Sequence, residues 1–358
     1  MKHRFTPPIS CNVVKNKRYS NIELLRIIAM FLVLLVHSQF YSLGLPTREN
    51  LYCIPLDTVL RVVTQSLSLV CVNVFVLISG WFGISFKWKG IQKLIFQWFF
   101  LAILVSVLLI SLGESLTIIG CIKSILSFQY YWFIYSYLLL FVFSPVLNAF
   151  IRYASKRQVE TVLLCFFVYE LLFGWIKSYS DFNNGYSCVS FWGLYLLARY
   201  VSVYKPFWSL KSVSFDIGIY FGASLISALF LVAFLWSGVN HDVMTKMLVR
   251  FNSYTSPFTI VAALFLLLGF SKIKFQRKAV NKIAMSSFAV YIIQCNPNVF
   301  DPIFKECCIK IHNSFNVYLY PLVNLCYLIV FYFICVVLDQ VRIKSFNVII
   351  KLEKYVNK

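Results

Sequence analysis

Apolar stretches recur along most of the chain, separated by short polar segments. Each stretch is near the roughly 20 residues that an α-helix needs to cross a bilayer. The pattern predicts an all-α bundle of ten spans, at about 22–43, 66–86, 92–112, 130–150, 159–176, 187–204, 214–236, 255–271, 284–300 and 318–338. Alternation of apolar and polar positions, the mark of an outer-membrane barrel, is missing. The ninth span carries Gln294, Asn296 and Pro297. Its far end is therefore expected to break, because proline has no N–H to give the helix.

Composition agrees. Of 358 residues, 60% are hydrophobic and only 13% charged, where a soluble domain carries about 25% charged residues. This excludes an ordinary soluble enzyme, a disordered chain and a disulfide scaffold. Thirty-three bases against 13 acids give a net charge of +20. In a soluble protein that excess would suggest nucleic acid. Here the bases sit between spans, and topology explains them better. With the N-terminus inside, 23 of the 33 lie in inside segments and 8 in outside ones. Basic loops stay cytoplasmic, so both termini are expected in the cytoplasm. The division is a basic tail over 1–21, a transmembrane domain over 22–340 and a second basic tail over 341–358. The first apolar run follows a polar, basic leader and reads as a retained anchor. The outer segments near 44–65, 237–254 and 301–317 are too short to bury cores of their own.

Eleven cysteines are scattered, mostly within apolar segments, and none forms CxxC. They read as small apolar residues, with no disulfide framework and no metal site. Gly-x-Ser-x-Gly, P-loop and Gly-x-Gly-x-x-Gly patterns are absent as well.

Charges inside a span are costly and usually functional. The first span holds Arg26 and His37, eleven residues apart. Eleven steps of about 100° make three turns plus about 20°, so both side chains share one face, roughly 16 Å apart along the axis. Alone, Arg26 reads as an interface anchor and His37 as a packing histidine. As an aligned pair they read as chemistry. A histidine in a cavity serves as general base on a hydroxyl, and an arginine at the cytoplasmic mouth holds phosphate or polarises a carbonyl, so Arg26 and His37 are both candidates for catalysis.

Other polar residues have two readings each. Asn73 and Ser79 in the second span suit interhelical hydrogen bonds. Tyr131 and Trp132 open the fourth span, as an aromatic belt or as a platform for a sugar ring. Glu170, in the outer half of the fifth span, is placed to pair with His37 or with an outer-loop base. His241 and Asp242 belong to a solvated loop, and His312 has no constellation around it.

An arginine followed eleven residues later by histidine in the first span resembles the signature of the acyltransferase type 3 family. Three further segments resemble that family in order. They are Val72-Asn73-Val74-Phe75-Val76-Leu77-Ile78-Ser79-Gly80-Trp81-Phe82, then Tyr131-Trp132-Phe133-Ile134-Tyr135 with Ser144-Pro145, then Ser286-Ser287-Phe288-Ala289-Val290-Tyr291-Ile292-Ile293. The resemblance covers about residues 19–340. Two departures stand out. Gln294 occupies the place where the late segment commonly ends in histidine. Lys87, Lys89 and Lys93 precede the third span, where the family often has Arg-x-x-Arg.

The resemblance implies a multi-pass protein of the bacterial plasma membrane, embedded in lipid. It implies transfer of an acyl group, usually acetyl, from cytoplasmic acyl-CoA to a hydroxyl of a surface polysaccharide or its lipid-linked precursor. By the same carry-over His37 is the general base and Arg26 binds the donor. Lys87, Lys89 and Lys93 lie on the donor's side. Tyr131, Trp132, Asn73 and Glu170 are candidates for the acceptor. Acyl-CoA is a substrate here, so no bound cofactor is expected, and no nucleic acid. A transporter or flippase of a lipid-linked glycan and a relative without catalysis are the alternatives.

Overall fold

The computed structural model describes residues 18–178 and 181–356, with side chains through residue 345. The basic tails fall largely outside the described side chains. Among the described residues every regular element is helical.

Helix α1 (Ser20–Val36) opens with Glu23 in its first turn, where a carboxylate complements the helix N-terminus. It continues into a π-helical turn over His37–Tyr41. Helix α2 (Arg48–Cys53) is started by a capping box between Thr47 and Asn50. Helix α3 (Pro55–Ser68) has proline at its start and leads through one turn into α4 (Cys71–Phe82). Gly83, at φ +78°, stops α4, a conformation that glycine adopts without steric cost. Next come α5 (Trp88–Ser111), the short α6 (Ile118–Ile125) and α7 (Phe128–Tyr153). Helix α8 (Lys156–Tyr169), boxed by Ser155 and Gln158, ends in a second π-helical turn over Glu170–Ile176. Helices α9 (Cys188–Tyr204), α10 (Val213–Trp236), α11 (His241–Phe251) and α12 (Pro257–Lys272) follow. The late segment is broken into α13 (Lys278–Ala284), α14 (Ser287–Gln294) and a single turn, α15 (Pro297–Val299). A third π-helical turn, α16 (Glu306–Ser314) and α17 (Tyr320–Val356) complete the chain.

Seven helical stretches among the described residues are long and apolar enough to cross a membrane. They are Ser20–Tyr41, Pro55–Phe82, Trp88–Ser111, Phe128–Tyr153, Lys156–Ile176, Val213–Trp236 and Tyr320–Ser345. The other three expected spans coincide with shorter helices: α9 of 17 residues, α12 of 16, and the broken α13–α14 pair. The break at the far end of α14 falls where Asn296 and Pro297 place it. Asn296 caps the new turn by accepting from the Asn298 N–H at 3.0 Å.

The second span differs from the expected one. It begins at Pro55, because α3 runs into α4, so the segment 44–65 is mostly helical rather than an open loop. The segments 237–254 and 301–317 also carry helices, α11 and α16. Of the short helices, α2 and α11 bury apolar faces jointly with α3 and α10. Leu51, Val62, Leu235, Leu248 and Phe251 form a satellite cluster against one end of α10.

In lipid, helices gain little from hydrophobic burial against each other and associate by close packing. Gly80 of α4 shows how close. A Cβ there would lie 2.4 Å from the Tyr195 carbonyl oxygen of α9. Outward faces remain apolar. Ile103, Val107 and Ile110 make an exposed stripe along α5, as a lipid-facing surface requires.

Candidate functional site

Arg26, Met30, Val33 and His37 fall on one stripe of α1. The arginine end is anchored. Tyr19 stacks on Phe82 with ring centroids 5.9 Å apart. The Asn21 amide donates to the Phe270 carbonyl at 2.9 Å. These contacts bring the start of α1 level with the ends of α4 and α12. The Arg26 guanidinium, partly exposed, donates to Glu23 Oε1 at 2.9 Å. Lys87, Lys89 and Lys93 are all exposed at the start of α5, a few residues beyond Phe82. The arginine and the three lysines thus belong to the same end of the bundle.

His37 sits at the opposite end, where α1 changes to a π-helical turn. Such turns recur at functional sites because they re-aim side chains. Its Nδ1 lies 2.8 Å from Gln294 Oε1. An amide oxygen can only accept, so Nδ1 carries the proton and Nε2 is left with its lone pair. Cys295 Sγ, 3.4 Å from the same oxygen, donates to it too. The rings of Tyr41 and Phe300 stand edge-on to the imidazole, at 5.2 and 5.5 Å between centroids. The histidine is therefore held in one tautomer and walled by aromatics.

Two spaces meet at His37. A narrow crevice of about 20 Å³ runs back along α1, lined by Met30, Val33, Phe75 and Phe288. A wide cavity of about 620 Å³ opens on the other side, lined by Trp132, Tyr186, Tyr254, Tyr130, Gln129 and Asp301, among others. Its walls are aromatic. Trp132 lies 4.4 Å from Tyr186 and 5.9 Å from Tyr254 between ring centroids. The Tyr41 and Tyr186 hydroxyls are hydrogen-bonded, and Tyr130 donates to Asp301. Burial pushes the Tyr186 and Tyr254 phenols well above their ordinary range, so both stay neutral. Aromatic faces beside a few carboxylate and amide groups suit a hydroxyl-rich ring with apolar faces.

Two loops lock that wall. The Tyr254 N–H donates to the Asn184 carbonyl at 3.0 Å. A Cβ on Gly185, which sits at φ +91°, would fall 2.4 Å from Tyr254 Cβ. Only glycine fits there. Asn73 supports the loop from behind, donating to the Tyr254 carbonyl at 2.9 Å.

The expected acceptor residues are therefore divided. Trp132 lines both spaces. Tyr131 is buried and donates to the Ile292 carbonyl at 3.1 Å, tying α7 to α14. Asn73 is a fully buried loop anchor. Ser79 bonds within its helix and to Tyr137. Glu170 forms neither expected pairing. His37 bonds Gln294 instead, and among the described residues no base makes an ion pair with Glu170. It lines a separate cleft. His241 and Asp242 are exposed, as expected of a solvated segment. His312, read as isolated, has a partner: its Nε2 is 3.1 Å from Asp57 Oδ1. No metal-binding group of histidine, cysteine and carboxylate side chains occurs among the described residues.

Tyr186, Tyr254, Gln129, Tyr130 and Asp301 were not expected at the site. They come from distant stretches, and the only local signal was the polar run Ser253-Tyr254-Thr255-Ser256 before Pro257. No curated protein and no solved structure matches the chain. A family model described as an acyltransferase domain matches residues 19–340, nearly the entire chain, and the chain belongs to that acyltransferase type 3 family.

Proposed function

We propose that this membrane protein moves an acyl group, acetyl in the first instance, from cytoplasmic acyl-CoA to a hydroxyl of a surface polysaccharide or its lipid-linked precursor. The single observation that carries the reading is the position of His37, which lines both the crevice running back toward Arg26 and the wide aromatic cavity. In this reading ten spans place both termini in the cytoplasm of a bacterium, with the Arg26 end inside. Arg26 and the lysines at 87, 89 and 93 face the charged donor. Trp132, Tyr186 and Tyr254 hold the acceptor ring.

The chemistry follows from the tautomer. Nε2 takes the proton of the acceptor hydroxyl as its oxygen attacks the thioester carbonyl. The C–O bond forms, the C–S bond breaks, and the leaving thiolate recovers a proton. Gln294 Oε1 accepts from Nδ1–H throughout and steadies the imidazolium. The crevice is too narrow for an acyl chain as it stands, so donor entry requires the helices around Met30 and Phe288 to part.

The test uses inverted membrane vesicles with acetyl-labelled acetyl-CoA outside. Label should enter the glycolipid or polysaccharide fraction with wild type. It should fall by about 10²–10⁴-fold with His37→Ala, the range for a general base. Equal labelling by both proteins would sink the assignment of His37, and glycan movement without acyl consumption would replace transfer by transport.

A further inference from the structure

Glu170 is 1% exposed. It lies at the junction of α8 and the π-helical turn Glu170–Ile176. That turn is the second in the chain to set a polar group within an apolar span. The Ser190 hydroxyl stands beside the carboxyl, and both that hydroxyl and Glu170 Oε2 are buried without a hydrogen bond of full geometry. A buried, unpartnered carboxyl oxygen is costly and asks for a ligand. Glu170 lines an apolar cleft of about 350 Å³ between α8 and α12, within the roughly 300–1,000 Å³ of small-molecule sites. Leu164, Val168 and Val261 form an exposed rim, and Leu264 and Thr255 lie deeper. A rim of exposed apolar side chains on two apolar helices of a membrane protein opens sideways, toward lipid.

We propose that this cleft is a lateral binding site for a membrane lipid with one long apolar chain whose uncharged hydroxyl bonds the Glu170 carboxyl. The chemistry selects that class. The polar side chains lining the cleft are Glu170 and Thr255. A charged head would leave water for one counter-group at most, which costs several kcal/mol per ion. A phosphate would meet a carboxyl and no base. A hydroxyl both donates and accepts, and satisfies the orphan oxygen. Tyr254 lines the His37 cavity, and the next residue, Thr255, lines this cleft.

The site is tested on the full chain in lipid nanodiscs, with photoactivatable probes that share one long alkyl chain. One probe ends in hydroxyl, one in carboxylate and one in a quaternary ammonium. Adducts are mapped by mass spectrometry. The hydroxyl probe should label the segments 164–168 and 261–264 in preference to both charged probes. Excess unlabelled long-chain alcohol should compete it away. Glu170→Leu should cut the labelling by about fivefold, the loss of one net hydrogen bond. Val261→Trp, at an exposed position that tolerates bulk, should block it, and keeps the test decisive if Glu170→Leu does not fold. Equal labelling by all three probes, unchanged in Val261→Trp, would show ordinary boundary lipid and overturn the proposal. Preference for the ammonium probe would overturn it as well. Acyl transfer is not part of the readout, so this site stands or falls apart from the enzyme reading.

Discussion

His37 and Gln294 are 257 positions apart in sequence and 2.8 Å apart in space. The imidazole comes from the π-helical turn after α1, the amide from the last residue of α14. Their bond ties two helices where the narrow and wide spaces meet. It also decides which ring nitrogen is free. Gln294 meets the imidazole with an amide oxygen, which holds the ring in place.

Gln294→Leu should therefore leave a histidine without a fixed tautomer. We expect kcat for acyl transfer to fall on the order of 10- to 100-fold, the range for losing a group that orients a ring ligand. KM for acyl-CoA should hardly change. Gln294→Glu keeps an acceptor oxygen and should retain most of the activity. With four histidines in the chain, ¹⁵N spectra of labelled protein can follow the tautomer directly. A single Nδ1–H form in both wild type and Gln294→Leu would refute the orienting role.

Arg26 is held at its end of α1 by Glu23 and remains partly exposed. A guanidinium grips phosphate with a planar fork, an ammonium only as a point charge. Arg26→Lys should raise KM for acyl-CoA by several-fold, and Arg26→Ala by more, with kcat less affected. Removing Lys87, Lys89 and Lys93 together should raise KM in a salt-dependent way, because these charges are solvent-exposed. An Arg26→Ala enzyme with unaltered KM would detach the arginine from the donor.

How much of this was legible in the sequence depends on range. The helical class follows from apolar runs, and the Arg26–His37 alignment from helical period alone. Both are local. The break after Gln294 follows from Pro297. The contacts that finish the site are not local. Nothing near Gln294 points to His37, and nothing near Asp57 points to His312. The cavity wall needs Gly185 and Tyr254 to interlock across two loops. Glu170 failed as a partner of His37 for the same reason. Its span reads correctly, but the direction of its side chain is set by the π-helical turn, which no propensity encodes.

Trp132 lines both spaces at His37 and packs against Tyr186 and Tyr254. Trp132→Ala should weaken acceptor binding about 3- to 10-fold, as expected for an aromatic contact of about 0.5–1.5 kcal/mol. Trp132→Phe should restore most of it. KM for acyl-CoA should stay constant in both variants. If the donor's KM moved and the acceptor's did not, the wide cavity would not be the acceptor side.

Gly80 tests whether helix spacing controls the site. A Cβ there would meet the Tyr195 carbonyl oxygen at 2.4 Å and Ala198 Cβ at 2.9 Å. Backbone cannot yield as a side-chain tip can, so α4 and α9 must separate. Gly80→Ala should cost about 1–3 kcal/mol, the usual range for overpacking, read as a lower thermal midpoint. The separation also reaches the cavity. Asn73 of α4 holds the Tyr254 carbonyl, and Phe191 of α9 backs Trp132 at 6.2 Å between ring centroids. Acceptor KM should therefore rise along with the loss of stability. Gly222, within α10, has open space around its Cβ position. Gly222→Ala should instead stabilise by about 0.4–1 kcal/mol through the unfolded chain. Opposite signs from the same substitution would show that contact at Gly80, and not helix propensity, sets the spacing on which the cavity depends.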